Sequence, residues 1–316
     1  MQDDFIHIVL TCDDRYVRHA AATIISIIKN SPRKFHFYVF DCGIQPENIE
    51  KLKTWNLGES IIQIIPIQKI DIFEEFDLKK CYSPAIFYRL LIPEILKDID
   101  KAIYLDSDII VINDLGEAWD INLDDYQIGA VPEEGNYCNR NLLLARKARL
   151  KMPLDWQYFN TGFMIFNIKQ LKGINLLQQV VIFLKSNTNK AVTLPDQDAL
   201  NLILERKYFF PLPEKFNQHV AQTKGKPTCL HFFWKVWLYP EFFVKHILSL
   251  KIKYAYEYFH YARQTPFANV INKEASIKAM LKCLFELMTK PIEHFFRYQV
   301  RDKVKNYIRS KNQHSC

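Results

Sequence analysis

The stretch Lys101-Ala102-Ile103-Tyr104-Leu105-Asp106-Ser107-Asp108 joins an apolar run to two acidic residues that stand two positions apart. The apolar run predicts a buried strand, and side chains at i and i+2 of an extended chain face the same way. Two carboxylates at a strand end can chelate one hard divalent cation, which keeps coordination positions open for diphosphate oxygens. The stretch therefore indicates a metal site for a nucleotide-linked substrate, with an ordinary solvated turn as the alternative.

Apolar runs and helical patterns alternate on both sides of this stretch. The pattern predicts strands at residues 5–10, 35–40, 61–65, 101–105, 127–131, 163–167 and 228–232, and helices at 16–30, 47–55, from 83 onward, 171–184 and 195–204. Such alternation is typical of an α/β domain whose ligand lies beyond the carboxyl ends of the strands. None of the eight glycines forms a phosphate-binding glycine loop, so phosphate must be held in another way.

Charge divides the chain into two parts. The 316 residues carry a net charge of +7, but residues 242–316 contain 14 Lys and Arg against 5 Asp and Glu. We therefore divide the chain into a domain at residues 1–240 and a small basic helical appendage at residues 241–316. With 49% hydrophobic and 14% aromatic residues, the composition excludes a disordered or fibrous protein.

The basic appendage predicts two amphipathic helices, one over residues 277–288 and one after Pro291. Basic residues mixed with aromatic and aliphatic ones at helical spacing favour an anionic membrane surface as the partner, and no nucleic acid is expected. The alternative is that the apolar faces pack on the main domain. The acidic start of the chain, the lack of a spanning apolar run and seven scattered cysteines predict a cytoplasmic protein, peripheral on the inner face of the membrane.

Several separated motifs accompany the paired carboxylates. They are Thr11-Cys12-Asp13-Asp14-Arg15-Tyr16, Phe87-Tyr88-Arg89-Leu90-Leu91-Ile92-Pro93, Phe159-Asn160-Thr161-Gly162-Phe163, Pro195-Asp196-Gln197-Asp198, and His231 with Lys235 and Trp237. In order and approximate spacing they resemble glycosyltransferase family 8 over roughly residues 5 to 240. The resemblance implies a GT-A-type nucleotide-binding mixed sheet flanked by helices. It also implies a retaining, metal-dependent enzyme that uses a UDP-hexose, with UDP-glucose or UDP-galactose as the expected donor.

The resemblance assigns Asp106, Asp108 and His231 as metal ligands, and this set of two carboxylates and one imidazole favours Mn²⁺, with Mg²⁺ as the alternative. It assigns Lys235 to the donor phosphates. The family pattern His-x-x-Gly-x-x-Lys-Pro-Trp stands here as His231-Phe232-Phe233-Trp234-Lys235-Val236-Trp237, which is two residues shorter and lacks the glycine and the proline. A glycine lets backbone approach phosphate closely, so its replacement predicts diphosphate contacts that differ from the family pattern.

The donor nucleoside is assigned to Thr11, Asp13 and Tyr16, where the Asp13 carboxylate would accept from uracil and the Tyr16 ring would stack on the base. A helix cap formed by Asp13 and Asp14 is the alternative. By resemblance, Arg89 binds the sugar or an acid beside it, and Asn160 faces the sugar. As a turn residue, Asn160 would need no such role.

The resemblance assigns Asp196 to the sugar hydroxyls and Gln197 to the face of the anomeric carbon opposite the leaving group. An acidic first helical turn is the alternative for the Asp196 motif. Retention normally requires a carboxylate nucleophile, and an amide such as Gln197 is a poor one. The sequence therefore favours substitution on one face, in which the departing phosphate oxygen deprotonates the acceptor, over double displacement.

The basic appendage suggests an acceptor saccharide carried on a lipid, such as a lipopolysaccharide core or a similar glycolipid. Two alternative functions would also use a UDP-sugar as the ligand. One is a membrane-associated UDP-sugar binder without turnover, and the other is a self-glucosylating enzyme similar to glycogenin. A phosphatase-type Asp-x-Asp site is disfavoured, because Ile110 stands where that loop has Thr or Val.

Overall fold

The computed structural model describes residues 4–68, 70, 84–133, 140–186, 192–204, 209–220, 223–232 and 252–270. Ten strands form two sheets: β1 Phe5–Cys12, β2 Lys34–Asp41, β3 Ile61–Pro66, β4 Lys101–Leu105, β5 Ile109–Val111, β6 Ile128–Pro132, β7 Phe159–Asn167, β8 Phe209–Pro211, β9 Gln218–His219 and β10 Cys229–His231. The helices are α1 Val17–Asn30, α2 Pro46–Lys53, α3 Ile92–Ile95, α4 Gly116–Trp119, α5 Arg140–Arg149, α6 Ile168–Leu171, α7 Leu176–Ser186, α8 Pro195–Ile203 and α9 Ile252–Ala262, with 3₁₀ helices at Pro84–Leu91 and Glu214–Phe216.

The large sheet has seven strands in the order β3-β2-β1-β4-β7-β6-β8. Strands β1 to β4 run parallel, whereas β7 runs antiparallel to both β4 and β6. Neighbouring residues of β1 point into different apolar clusters, because Ile8 packs in the cluster with α1 and Val9 packs in the cluster with α7 and α8. Both faces of the sheet are therefore covered, as parallel sheets require. The predicted architecture, a mixed sheet flanked by helices, is confirmed.

The small sheet has the order β5-β10-β9 and joins two distant parts of the chain. Strand β10 pairs antiparallel with β5, which places His231 opposite Ile109. The backbone N–H of Phe232 then donates to the carbonyl of Asp108 at 2.9 Å. This register brings the predicted histidine ligand beside the predicted carboxylates.

A bulge in β7 shapes the same edge of the large sheet. The consecutive residues Ala130 and Val131 of β6 pair with Met164 and Asn160 of β7, so three β7 residues lack a partner on β6. On its other side, β7 extends its pairing with β4 through the Asp106 N–H, which donates to the Gly162 carbonyl at 2.8 Å. Asn160, expected in a polar interruption before a strand at 163–167, thus lies inside a longer strand.

Two helix predictions also need correction. The helix that carries Arg89 is a 3₁₀ helix, and the Arg89 Nε donates to the carbonyl of Ile86 within that turn. The helix predicted at 171–184 corresponds to α7 and begins five residues later than predicted, because only Leu171 of the predicted range lies in the preceding helix α6. Gly173 has φ +80° between them, and the Asn175 side chain caps α7 by accepting from the Gln178 N–H.

Residues beyond 240 contribute to the core where the structure describes them. Helix α9 packs against α1, where the Tyr258 hydroxyl lies 2.5 Å from His19 Nδ1 and the Asn30 amide donates to the Tyr261 hydroxyl at 2.6 Å. The helices predicted at 277–288 and after Pro291 lie outside the described residues. Within the described ranges, no helix has the length and apolar character needed to cross a bilayer.

Candidate metal and donor-sugar site

Three predicted ligands meet at the junction of the two sheets. Asp106 and Asp108 follow β4 and precede β5, and His231 ends β10. Their ligand atoms lie within 4.8 Å of one another. The His231 Nε2 is 3.0 Å from Asp108 Oδ1 and 3.7 Å from Asp106 Oδ2. The arrangement can therefore offer two carboxylates and one imidazole to a single cation.

Asp108 Oδ1 gives an independent test of whether a cation fits this cluster. It is buried and makes no hydrogen bond within the described residues, and the nitrogen 3.0 Å from it, His231 Nε2, belongs to the same cluster. Buried carboxylate oxygens are almost always hydrogen-bonded, paired or bound to a metal. An acceptor in this position, next to an imidazole and a second carboxylate, fits a metal ligand.

Arg89 connects the metal cluster to the predicted sugar-binding residues. Its side chain is 4% exposed, and its Nη2 lies 2.9 Å from Asp106 Oδ1 while its Nε lies 3.5 Å from Asp196 Oδ2. It also donates to the carbonyl of Thr161 at 2.8 Å and stacks on the Tyr104 ring. The sequence predicts that Arg89 binds either the sugar or an acid beside it. In the structure its contacts are those of a cation that pairs with acids.

Burial and ion pairing set the charges around this arginine. Burial alone would lower the pKa of the Arg89 guanidinium, but the acidic groups around it, Asp106 foremost, outweigh burial and raise it. Burial raises the pKa of Asp196 while Arg89 opposes the shift, and burial likewise raises the pKa of Glu133 while Arg146 opposes it. The site thus contains two buried carboxyls, each held beside a guanidinium.

Gln197 is fixed by hydrogen bonds at both ends of its amide. Its Oε1 accepts from Asn160 Nδ2 at 3.0 Å and from the Thr161 N–H at 3.3 Å. Its Nε2 donates to Glu133 Oε1 at 2.9 Å and to the Tyr158 hydroxyl at 3.1 Å. The structure therefore brings the predicted residues Asn160 and Gln197 into direct contact and holds Gln197 in one orientation.

The predicted nucleoside-binding residues follow β1, beside the end of β4. The Thr11 hydroxyl lies 3.2 Å from the Tyr104 hydroxyl, which donates to Asp106 Oδ1 at 2.6 Å. Asp13 Oδ1 accepts from the Tyr16 N–H at 3.2 Å and therefore caps the turn before α1. Burial raises the pKa of the Tyr16 phenol, and the nearby carboxylates add to the shift.

Asp14 does not cap α1, the role considered for it from the sequence. Its Oδ1 accepts from the Gln45 N–H and from Asn48 Nδ2, both at 2.8 Å. Asp14 therefore ties the loop after β1 to the start of α2, while the N-cap position of α1 is Tyr16, which makes no side-chain cap hydrogen bond. Lys235 lies outside the described residues.

Four residues at the site had no assigned role in the sequence analysis: Tyr104, Glu133, Gly162 and Asn217. Glu133 directly follows β6, so the rule that ligands lie beyond strand ends could have found it. Tyr104 reads as an ordinary apolar strand residue. Asn217 contacts His231 and Asn160 from a turn before β9, and no spacing in the sequence marks it.

The packing around Gly162 leaves no room for a side chain. A Cβ built on it would lie 2.2 Å from His231 Cε1 and 2.7 Å from His231 Nδ1. Neither distance is tolerable, so any side chain here displaces the imidazole. The glycine of the Asn160-Thr161-Gly162 motif thus makes room for the histidine of the metal cluster.

Comparison with known proteins decides the family. The sequence profile of Glycosyl transferase family 8 matches residues 7–234, which includes every described residue of the site. The chain belongs to glycosyltransferase family 8. This membership confirms the resemblance and makes the protein a glycosyltransferase.

Relatives cover the chain to different extents. General stress protein A of Bacillus subtilis is 27% identical over 300 residues, 86% of this chain and 98% of its own length. A putative glycosyltransferase of Haemophilus influenzae is 30% identical over 67% of this chain and 63% of its own length. Lipopolysaccharide 1,3-galactosyltransferase of Salmonella typhimurium is 26% identical over 68% of this chain and 64% of its own length.

Solved structures support the fold. The galactosyltransferase LgtC, determined in complex with donor and acceptor sugar analogues, aligns with a TM-score of 0.70 at 21% identity, over 83% of this chain and 96% of LgtC. This likeness confirms the predicted GT-A-type fold.

Proposed function

We propose that this family 8 protein is a retaining, metal-dependent hexosyltransferase that moves glucose or galactose from its UDP derivative to a saccharide acceptor. The observation that carries the proposal is the cluster of Asp106, Asp108 and His231 at the carboxyl edge of the large sheet. Arg89 links this cluster to Asp196, and Asn160 links it towards Gln197. The residues that we propose for the metal thus lie beside those that we propose for the sugar, an arrangement that suits a nucleotide-sugar donor.

Asp106, Asp108 and His231 would hold Mn²⁺, or Mg²⁺ as the alternative. When bound, such an ion supplies Lewis-acid stabilisation of the charge that appears on the departing nucleoside diphosphate. Thr11, Asp13 and Tyr16 would bind the uridine, and Lys235 would bind the phosphates. Because Asp13 already accepts from local N–H groups, its uracil contact would use the remaining acceptor capacity of the carboxylate.

The hydrogen bonds of Gln197 favour substitution on one face of the sugar. Its side-chain oxygen Oε1 already accepts from Asn160 and Thr161, which lowers its capacity to act as a nucleophile. Gln197 would instead position the donor, and Asp196 would bind the sugar hydroxyls. The acceptor hydroxyl would lose its proton to the departing phosphate oxygen as the new glycosidic bond forms on the same face.

The acceptor that we propose is a saccharide on a lipid, such as a lipopolysaccharide core or a similar glycolipid. The relative from Salmonella typhimurium bears the name lipopolysaccharide 1,3-galactosyltransferase. The basic appendage at residues 241–316 would bind the anionic inner face of the membrane, consistent with a cytoplasmic, peripheral location.

Helix α5 adds a second surface suited to a membrane. It exposes Leu142 (64%) and Leu144 (38%), and Leu154 shortly after it is 66% exposed. Residues 140–154 contain five basic and no acidic residues. The three leucines do not form one face, because Leu142 and Leu144 stand two positions apart on the helix and Leu154 lies beyond its end. A basic surface that exposes apolar side chains suits an anionic membrane interface. It lies next to the reaction site, because Arg146 of α5 contacts Glu133 at 3.0 Å.

A donor screen tests this function. The full-length protein would be incubated with a series of UDP-sugars, with and without Mn²⁺, and release of UDP would be measured. We expect Mn²⁺-dependent release from UDP-glucose or UDP-galactose. Binding without release would support the UDP-sugar binder, which the shortened motif after His231 motivates. A mass increase of the protein by hexose units would support the self-glucosylating alternative.

A further inference from the structure

A chain of hydrogen bonds runs from the backbone of β7 to the imidazole of the metal cluster. The Gly162 N–H donates to Asn160 Oδ1 at 2.8 Å, and Asn217 Nδ2 donates to the same oxygen at 2.8 Å. Asn217 Oδ1 lies 2.8 Å from His231 Nδ1. The three side chains are almost completely buried, with Asn160 at 3%, Asn217 at 0% and His231 at 1% exposure.

Each link of this chain fixes the direction of the next. A backbone N–H can only donate, so the Asn160 atom that faces Gly162 must be its carbonyl oxygen. The Asn217 atom that faces this oxygen must then be its amide nitrogen. The carbonyl oxygen of Asn217 consequently faces His231 Nδ1 and requires a proton there. The orientation of both amides thus follows from one backbone donor.

From this hydrogen-bond chain we infer that Asn217 is a positioning residue that keeps a proton on Nδ1 of His231 and so favours the tautomer in which Nε2 is left to the metal. The inference rests on the proposed metal site. In this tautomer the lone pair is on Nε2, the nitrogen that lies 3.0 Å from Asp108 Oδ1. Metal-binding histidines commonly donate their second N–H to a protein acceptor, which fixes the ring orientation and increases its basicity. Here the acceptor is an amide oxygen, not a carboxylate.

The same chain of hydrogen bonds joins His231 to the residues proposed to bind the donor sugar. Asn160 accepts from Asn217 through Oδ1 and donates to Gln197 Oε1 through Nδ2. A flip of any one amide would place two donors or two acceptors against each other in a buried site. The orientations of His231, Asn217, Asn160 and Gln197 are therefore set together.

Two substitutions of Asn217 separate positioning from simple packing. Asn217→Ala removes both the acceptor for His231 and the donor to Asn160. Asn217→Asp keeps an acceptor for His231 Nδ1 and removes only the donor to Asn160. Asn30→Ala is the matched control, because Asn30 is a partly buried amide whose hydrogen bonds within the described residues go to Ser26, Val111 and Tyr261 and not to the site residues.

Three properties of the full-length variants would be measured. Electron paramagnetic resonance of free Mn²⁺ gives the metal affinity without nucleotide. Nitrogen-15 NMR of labelled histidine, with Cd²⁺ as a diamagnetic substitute, shows which ring nitrogen of His231 carries the proton. Thermal unfolding reports the stability that each substitution costs.

We expect Asn217→Ala to weaken Mn²⁺ binding by about 10- to 100-fold. Asn217→Asp should bind Mn²⁺ at least as tightly as the wild type, although both variants lose stability. Asn30→Ala should lose stability and keep its Mn²⁺ affinity. In the wild type with Cd²⁺, the His231 proton should be on Nδ1.

Three results would overturn the inference. The first is unchanged Mn²⁺ affinity in Asn217→Ala, and the second is an equal loss in Asn217→Ala and Asn217→Asp. Both would leave the proposed function intact, since the wild type would still bind metal. The third, a wild-type protein that binds neither ion, would overturn the metal site of the proposed function as well.

Discussion

Asp106 and Asp108 belong to the same short motif but make different contacts. Asp106 accepts from Tyr104 and pairs with the buried guanidinium of Arg89, whereas Asp108 contacts His231. Neutralising Asp106 would leave Asp196 as the ion-pair partner of Arg89 among the described residues and would cost about 1 to 3 kcal/mol of stability, reduced because Asp106 is a quarter exposed. Asp108→Asn is therefore the cleaner substitution for a test of metal binding.

Gly162 yields a prediction at the scale of one methyl group. In Gly162→Ala, the new Cβ would meet the His231 ring, so the ring must shift away from Asp106 and Asp108. We expect a stability loss of about 1 to 3 kcal/mol and a Mn²⁺ affinity at least about tenfold weaker. Chemical denaturation and Mn²⁺ titration measure the two effects.

Gly173→Ala provides the control for that substitution. Gly173 has φ +80°, and no atom lies within 4 Å of the place that a Cβ would take, so alanine there strains the backbone without touching the site. It should lose stability and keep its Mn²⁺ affinity. Equal Mn²⁺ affinity in Gly162→Ala and the wild type would show that the close approach to His231 has no consequence for the cluster.

Side chains that belong to compact motifs could be predicted from the sequence, whereas their supporting residues could not. Asp106 and Asp108 follow an apolar run, and His231 ends another, so their chemistry and their positions at strand ends are both readable. Asn217 lies in a turn, and its role depends on a contact with His231, 14 residues away, and with Asn160, 57 residues away. Such a role arises only from the pairing of strands.

At the scale of elements, the alternation of apolar runs with helical patterns predicts the first four parallel strands well, because each strand is a nearly continuous apolar run between turn signals. The bulge in β7 could not be predicted, since Asn160, Thr161 and Gly162 read as a polar interruption and not as strand residues. The 3₁₀ helix at Pro84–Leu91 was read as an ordinary helix. The Arg89 side chain bonds to a carbonyl of its own turn, a contact that helix propensity does not include.

Helix α5 and the basic appendage together yield a prediction about membranes. Leu142→Glu and Leu154→Glu each place a negative charge at an exposed leucine of this basic surface, and deletion of residues 291–316 removes Arg297, Arg301, Lys303, Lys305 and Arg309. The deletion should weaken binding to anionic liposomes at low salt, since each basic residue near the surface contributes about 1 kcal/mol. The two leucine substitutions should weaken it as well, because each adds a negative charge that the anionic surface repels. Release of UDP from the soluble donor should be unchanged.

Liposome sedimentation measures this binding, and Ile182→Glu is its matched control. Ile182 is 57% exposed on α7, so its substitution adds the same charge to a different surface and should leave binding unchanged. The difference between full-length and truncated protein should shrink as salt rises. Equal binding by all variants would contradict the membrane proposal and favour packing of the appendage on the main domain.

At the scale of the whole molecule, the parallel pairing of β1 with β4 sets the carboxyl ends of these two strands side by side. The pairing of β5 with β10 then brings in His231, which lies 123 positions after Asp108 in the chain. The residues after β1 that are predicted to bind the nucleoside and the carboxylates after β4 are neighbours because β1 pairs with β4. Ser107 Oγ, which donates to the Thr11 carbonyl at 3.2 Å, joins the two strand ends directly. The central claim is that this junction holds the metal on which donor cleavage depends.

The most direct test of that claim is the rate of UDP release from UDP-glucose and UDP-galactose, measured against Mn²⁺ concentration for the wild type and Asp108→Asn. Asp155→Asn, an exposed carboxylate outside the metal cluster, is the control. We predict that Asp108→Asn loses Mn²⁺-dependent release by about 100-fold or more while its unfolding temperature stays close to that of the wild type. Release by Asp108→Asn at the wild-type rate, with the same dependence on Mn²⁺, would contradict the account.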